Sequence, residues 1–358
     1  MKQLLIICFI LSFLTGCGDD TPGNTDDFDR TTLLINLSDN LILPALNGFK
    51  TNATVLNNDV AIFLNNPNPI NLETLRATFE TAYIAWQKAS IFEIGPAENI
   101  AYRANVNTYP TDVSNITALI NSGSYNLDAI NNYDSKGLPA IDYLLYGSGD
   151  NDTDIIALFS THPDKEKYKQ YLSDIAEDIL SKTNYVYNEW ISGYDATFKS
   201  NKGNNIGSSI SLFTNTFMLH YENRFRTLKI GLPTGVFSIE EQSFPELTEA
   251  YYSGISIDLI KANFNQLEKT YLGDNGVGID DHLIGVDAED VNSEITAQLA
   301  VIKEKLNLLT DPLSAQVVND RPQVVEVYNE IQKLVPTLKA DMFSALSIQI
   351  TYSDTDGD

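Results

Sequence analysis

The stretch LETLRATFETAYIAWQKASI, residues 72–91, decides the fold. Leu72, Leu75, Phe79, Tyr83 and Trp86 follow one another at steps of three and four residues. On an α-helix that spacing gathers large apolar side chains onto one face, whereas a strand needs strict alternation. The same period returns on both sides. Residues 31–47 carry Leu33, Leu34, Leu37, Leu41 and Leu43. His162-Pro163 opens a long helix whose stripe runs Tyr168, Leu172, Ile175, Ile179, Val186 and Trp190, with the proline early in the first turn. Further helices are expected over about 206–228, with Ile210, Phe213 and Phe217 inward, and over about 244–272, 291–309 and 313–347. Alternation of period two is confined to short pieces near 348–352. The fold class expected is all-α. Ser200-Asn201-Lys202-Gly203-Asn204-Asn205 is the best break between long helices, and Gly231-Leu232-Pro233-Thr234-Gly235 ends helix sharply inside the second half. The expectation is two helical-bundle domains, 31–200 and 206–352, packed against each other.

The 358 residues are 43% hydrophobic and 20% charged, a composition able to bury real cores. With 48 acidic residues against 23 basic ones, the formal charge is −25. Such a surface repels nucleic acid, so no nucleic-acid partner is expected. Lys2 and the apolar run Leu4–Leu14 read as an export signal, too short to span a membrane. The run ends in Leu14-Thr15-Gly16-Cys17, which resembles a bacterial lipobox. Residues 1–16 are then a lipoprotein signal peptide. Cys17 is the lipidation site that ties the chain to a membrane, and 17–30 form a flexible tether. Asp19-Asp20 resembles acidic signals that send some lipoproteins to the cell surface. Cys8 leaves with the signal, so the mature chain has no disulfide. Residues 353–358 are an acidic tail.

Three segments carry a family likeness. Tyr83-Ile84-Ala85-Trp86-Gln87-Lys88 is followed by Phe92-Glu93-Ile94-Gly95-Pro96, an aromatic-x-x-Gly-Pro turn at a helix end. Gly137-Leu138-Pro139-Ala140-Ile141-Asp142-Tyr143-Leu144-Leu145-Tyr146-Gly147 follows. Tyr221-Glu222-Asn223-Arg224-Phe225-Arg226-Thr227-Leu228-Lys229 leads into the Gly231–Gly235 loop. Together they resemble the imelysin-like family, the M75 peptidase group, and they reach across most of the mature chain. The family's signature reads Gly-x-His-x-x-Glu, and here Pro139 replaces the His and Asp142 the Glu. The resemblance implies two bundle-like helical domains with the signature near their contact. It also implies exported or lipid-anchored proteins often linked to iron supply.

A His and a Glu three apart on a helix share a face and can hold one metal ion with ligands from elsewhere. Pro139 has no lone pair to give. It fits instead as the first residue of a short helix, with Gly137 making the sharp turn in and Gly147 the turn out. Asp142 is left to orient an Arg, a Lys or a backbone N–H, or to tie down the domain contact. Of the three histidines, His162 reads as exposed at a helix start. His220 and Glu222, two apart, point away from each other. Asp280, Asp281 and His282 lie in a loop after Gly278 and chelate weakly at best. Arg224, Arg226 and Lys229 complement a helix C-terminus, with Glu222 pairing Arg226 four residues on; read functionally, they form an anion or carboxylate site, with Arg226 facing Asp142. Arg103 is a further lining candidate, and Trp86, Tyr102 and Tyr109 are candidate pocket walls. No nucleophile elbow or phosphate loop is present in the sequence.

These observations point to a lipid-anchored, non-catalytic binding protein of the outer membrane that serves iron or nutrient acquisition. Its binding residues are Gly137, Pro139, Asp142, Arg103, Arg226 and Lys229. No catalytic residue and no cofactor is expected, and the partner is an envelope uptake protein or a small ligand. The alternatives are a metallopeptidase, with iron or another divalent metal assembled from Asp142 and distant ligands such as His220 or His282, and a surface interaction module.

Overall fold

The computed structural model describes residues 28–240 and 242–352. The signal segment, Cys17 and the acidic tail lie outside the described residues. The described chain is helical, without a strand. Its first helical stretch, Arg30–Asn36, widens into a π-helical segment, Leu37–Ile42, and continues as α1 (Leu43–Asn65). Asn68 caps α2 (Pro69–Ala89) through Asn71 N–H, with Pro69 opening the first turn. The apolar stripe of α2 is buried in full, from Leu72 to Trp86, and packs on α1. After the short signature helix α3 (Gly137–Asp142) comes α4 (Lys165–Glu189), which lies against both α1 and α3. Leu172, Ile175, Ile179 and Val186 are buried as the stripe requires.

The second half is built from α5 (Ser209–Leu219), a twelve-residue π-helical continuation His220–Gly231, α6 (Ser256–Tyr271), α7 (Glu289–Leu306) and α8 (Arg321–Pro336). The halves meet where α2 packs along α6. The buried apolar side chains run as one connected cluster from Leu33 to Ile348.

Several local expectations are corrected. His162-Pro163 lies in a turn ahead of α4 rather than inside it, and His162 is half-buried against Tyr168. Helix does not cover 244–272: residues 248–255 form a loop, because Ala250 adopts a left-handed backbone (φ +53°) that interrupts helical winding. Leu232–Thr234 prolong the helix, which stops on Gly235 at φ +66°. The run near 348–352 forms no strand; Asn215 takes Gln349 O and Thr351 N in place of a partner strand. Asp280, Asp281 and His282 sit on a helical turn, Ile279–Gly285, where Asp281 caps Gly278 N–H and His282 is buried beneath Phe28.

Candidate functional site between the signature helix and the 248–255 loop

All six residues of α3 are buried. Lys136, just before it, is also buried and reaches Asp178 on α4 at 3.0 Å. Gly137 has φ +74°, and a Cβ there would fall 2.3 Å from the carbonyl oxygen of Val106. Only glycine allows this close approach of two backbones. Pro139 is the third helical residue rather than the first, still within the first turn, where N–H groups lack intrahelical partners. Beyond α3 the chain widens into the π-helical turn Tyr143–Gly147. Arg76 on α2 fastens that turn by donating to Leu145 O at 3.0 and 2.7 Å, while Tyr146 Oη donates to Glu80 at 2.8 Å.

Asp142 faces the second half. Its Oδ2 accepts Tyr252 N–H at 2.9 Å and its Oδ1 accepts Ser253 N–H at 3.1 Å. Burial pushes the carboxyl up to about 6, against the pull of those donors. Tyr252 lies over Gly147, where any Cβ would strike its ring. A cavity of about 220 Å³ opens here, lined by Pro139, Asp142, Tyr109, Ala250, Tyr251 and Tyr252 among others. Thr248 also lines it; its buried Oγ1 has no hydrogen-bond partner among the described residues.

Behind the loop, Glu249 is buried at the centre of a polar network. Its Oε1 accepts from Gln87 Nε2 at 2.9 Å and Asn107 Nδ2 at 2.7 Å, and its Oε2 pairs with Lys229. Lys229 also donates to Gln87 Oε1 at 2.7 Å. Burial lowers the Lys229 ammonium, and Glu249 opposes that shift. Tyr83 Oη donates to Asn107 at 2.6 Å. Asn263 on α6 donates to Gln87 O at 2.8 Å and lies 3.0 Å from His220 Nε2. Burial drops His220 to about 3, so its imidazole is neutral.

The expected residues are therefore split. Pro139 and Asp142 share one cavity. Arg103 and Lys229 line a second, smaller one with Trp86, Arg224 and His220, and Tyr109 belongs to both. Gly137 serves packing against Val106. Arg226 does not reach Asp142: its Nε donates to Glu222 O at 3.2 Å and its Nη1 pairs with Gln332. The Glu222 carboxylate turns instead to Lys339 at 3.2 Å and Tyr352 Oη at 2.8 Å. Sequence reasoning missed Gln87, Asn107 and Glu249. Their one signal was polar residues falling at positions that a helical or apolar pattern would bury.

A profile of the imelysin family, peptidase M75, matches residues 42–340. The chain belongs to the imelysin family. Among solved structures, an imelysin-like protein from Psychrobacter arcticum 273-4 superposes with a TM-score of 0.72 at 16% identity, covering 90% of this chain and 97% of that one. A candidate iron-regulated protein A precursor from Parabacteroides distasonis ATCC 8503 gives 0.71 at 17% identity, covering 87% and 95%. No curated protein matches in sequence. The imelysin fold is thus shared, while the signature's metal chemistry is not supported by the donors present. Position 139 offers no lone pair, and each oxygen of Asp142 already accepts an N–H. His220 and His282 do not line the Asp142 cavity. Among the described residues, no three His, Cys, Asp or Glu side chains gather around one point. These residues do not fit the metal that the signature implies.

Proposed function

We propose that this chain is a non-catalytic imelysin-type binding protein of the cell envelope. A small ligand enters between α3 and the 248–255 loop. The observation that carries this reading is the missing donor set: position 139 is a proline that cannot coordinate, and Asp142, which holds Tyr252 and Ser253 N–H, belongs to no group of three His, Cys, Asp or Glu side chains among the described residues. The Parabacteroides neighbour, described as a candidate iron-regulated protein precursor, supports placing the ligand within iron or nutrient acquisition. The lipobox supports export and an acyl anchor at Cys17 in the outer membrane, with an envelope uptake protein as partner. Among the described residues no helix is long and apolar enough to cross a membrane.

The test is a cleavage assay with casein, run with zinc or ferrous iron added. No hydrolysis above background is the expected result. Cleavage that disappears in Asp142→Asn would refute the reading. Cys17→Ala separates the anchor from the binding function: the variant should move from the detergent phase to the aqueous phase in a detergent partition, and retention with detergent would refute the anchor.

A further inference from the structure

The cavity between α3 and the 248–255 loop carries charge of one sign. Among the described residues, its lining holds two carboxylates, Asp142 and Glu246, and no Lys, Arg or His. Arg103, Arg224 and Lys229 line the smaller space behind Tyr109 instead, and there Lys229 pairs with Glu249. Burial, with a lesser push from the Glu249 charge, raises the Asp142 carboxyl to about 6, which leaves it ionised at neutral pH. Each Asp142 oxygen accepts one N–H, and an ionised carboxylate has room for about four. Thr248, in the same wall and 2% exposed, has an Oγ1 with no partner among the described residues. Glu246 is exposed, and so is Tyr251 at 41%, so the cavity opens to solvent on their side.

The remaining walls are rings. Tyr251 and Tyr252 have centroids 5.1 Å apart and planes at 86°, so they form a corner rather than a stack. Tyr109, Pro110 and Pro139 add further ring surface. Burial holds the Tyr109 and Tyr252 hydroxyls above their ordinary range, which keeps those rings neutral. The face of a neutral tyrosine attracts a cation, as do the two carboxylates. The volume is about 220 Å³, and a cavity of roughly 150 Å³ already takes benzene. We propose that this cavity receives a primary ammonium ion carried on a single flat ring. Its N–H groups meet Asp142 and Glu246, and its ring lies against Tyr109, Tyr251 and Pro139. The assignment deepens the binding function above and rests on it.

Calorimetric titration of the purified chain with benzylammonium chloride tests it. Benzyl alcohol and sodium benzoate keep the ring and change the charge. Methylammonium chloride is the control for charge alone, because a chain of formal charge −25 attracts any cation. Benzylammonium should saturate at one per chain, at least tenfold more tightly than each of the other three. Glu246→Gln and Tyr251→Ala, both at exposed positions, should each weaken it at least threefold with an unchanged circular dichroism spectrum. Glu304→Gln makes the same charge change on an exposed residue outside the cavity and should leave the affinity as it is. Absence of saturable binding, equal affinity for methylammonium, undiminished binding in Glu246→Gln, or an equal loss in Glu304→Gln would each overturn the proposal. Tighter binding of benzyl alcohol or benzoate, lost in Tyr251→Ala, would overturn the ammonium and leave the cavity as a ligand site. Casein cleavage would instead strike the non-catalytic reading, which the titration does not address.

Discussion

Asp142 accepts two main-chain N–H groups from a loop more than a hundred residues away, and its burial, against the pull of those bonds, sets its titration. Asparagine at this position keeps one accepting oxygen and points an NH₂ at the other N–H. Leaving that buried donor unpaired costs about 1–3 kcal/mol. Because burial raises the folded carboxyl from its ordinary range near 4 to about 6, the folded chain binds this proton more tightly than the unfolded chain. The contribution is present in full below about pH 4 and is lost as the pH climbs to about 6, by about 2–3 kcal/mol for a shift of that size. Denaturant titrations of wild type and Asp142→Asn should therefore show a stability gap that widens on acidification from pH 6 to pH 4. A gap that stays constant across that window would contradict the assignment.

The signature helix is held by glycine contact as much as by hydrogen bonds. Gly137→Ala places a Cβ on the Val106 carbonyl oxygen and forces alanine into a left-handed backbone, which costs about 1–3 kcal/mol before the clash is counted. Thermal melting should show a clear loss, and a variant as stable as wild type would show that α3 is seated differently. The position of that glycine was readable from the family pattern, and the inward stripes of the Arg30–Ile42 stretch, α2 and α4 were readable from period alone, because core burial dominates long helices. The site was less legible. His220, Arg224 and Lys229 line one cavity because His220–Gly231 winds with i→i+5 bonds, which stack residues four and five apart on one face. Ordinary helical spacing does not give that alignment, and it suggested an Arg226–Glu222 pair that the wider winding replaces with Lys339 and Tyr352. The left-handed Ala250 left no sequence signal, so the loop that carries Thr248, Glu249 and Tyr252 was hidden inside an expected helix.

Across the molecule, the two halves are joined by buried polar groups as well as by the α2–α6 contact. Lys229 and Glu249 form a buried ion pair whose other atoms are satisfied by Gln87 and Asn107. Removing one partner strands a charge, so Lys229→Met should cost about 3–5 kcal/mol. Lys229→Met with Glu249→Gln should cost less than the two single changes summed, and denaturant unfolding of the four proteins measures that coupling. Strict additivity would show that the pair is not the joint. The same joint sets the chemistry on offer: a proline that cannot coordinate and an aspartate bound to backbone. Elemental analysis of the purified, dialysed chain tests this most directly. The expected result is zinc and iron well below one atom per chain, with no change after chelator treatment. One tightly held metal per chain, removed by chelator and absent from Asp142→Asn, would contradict it.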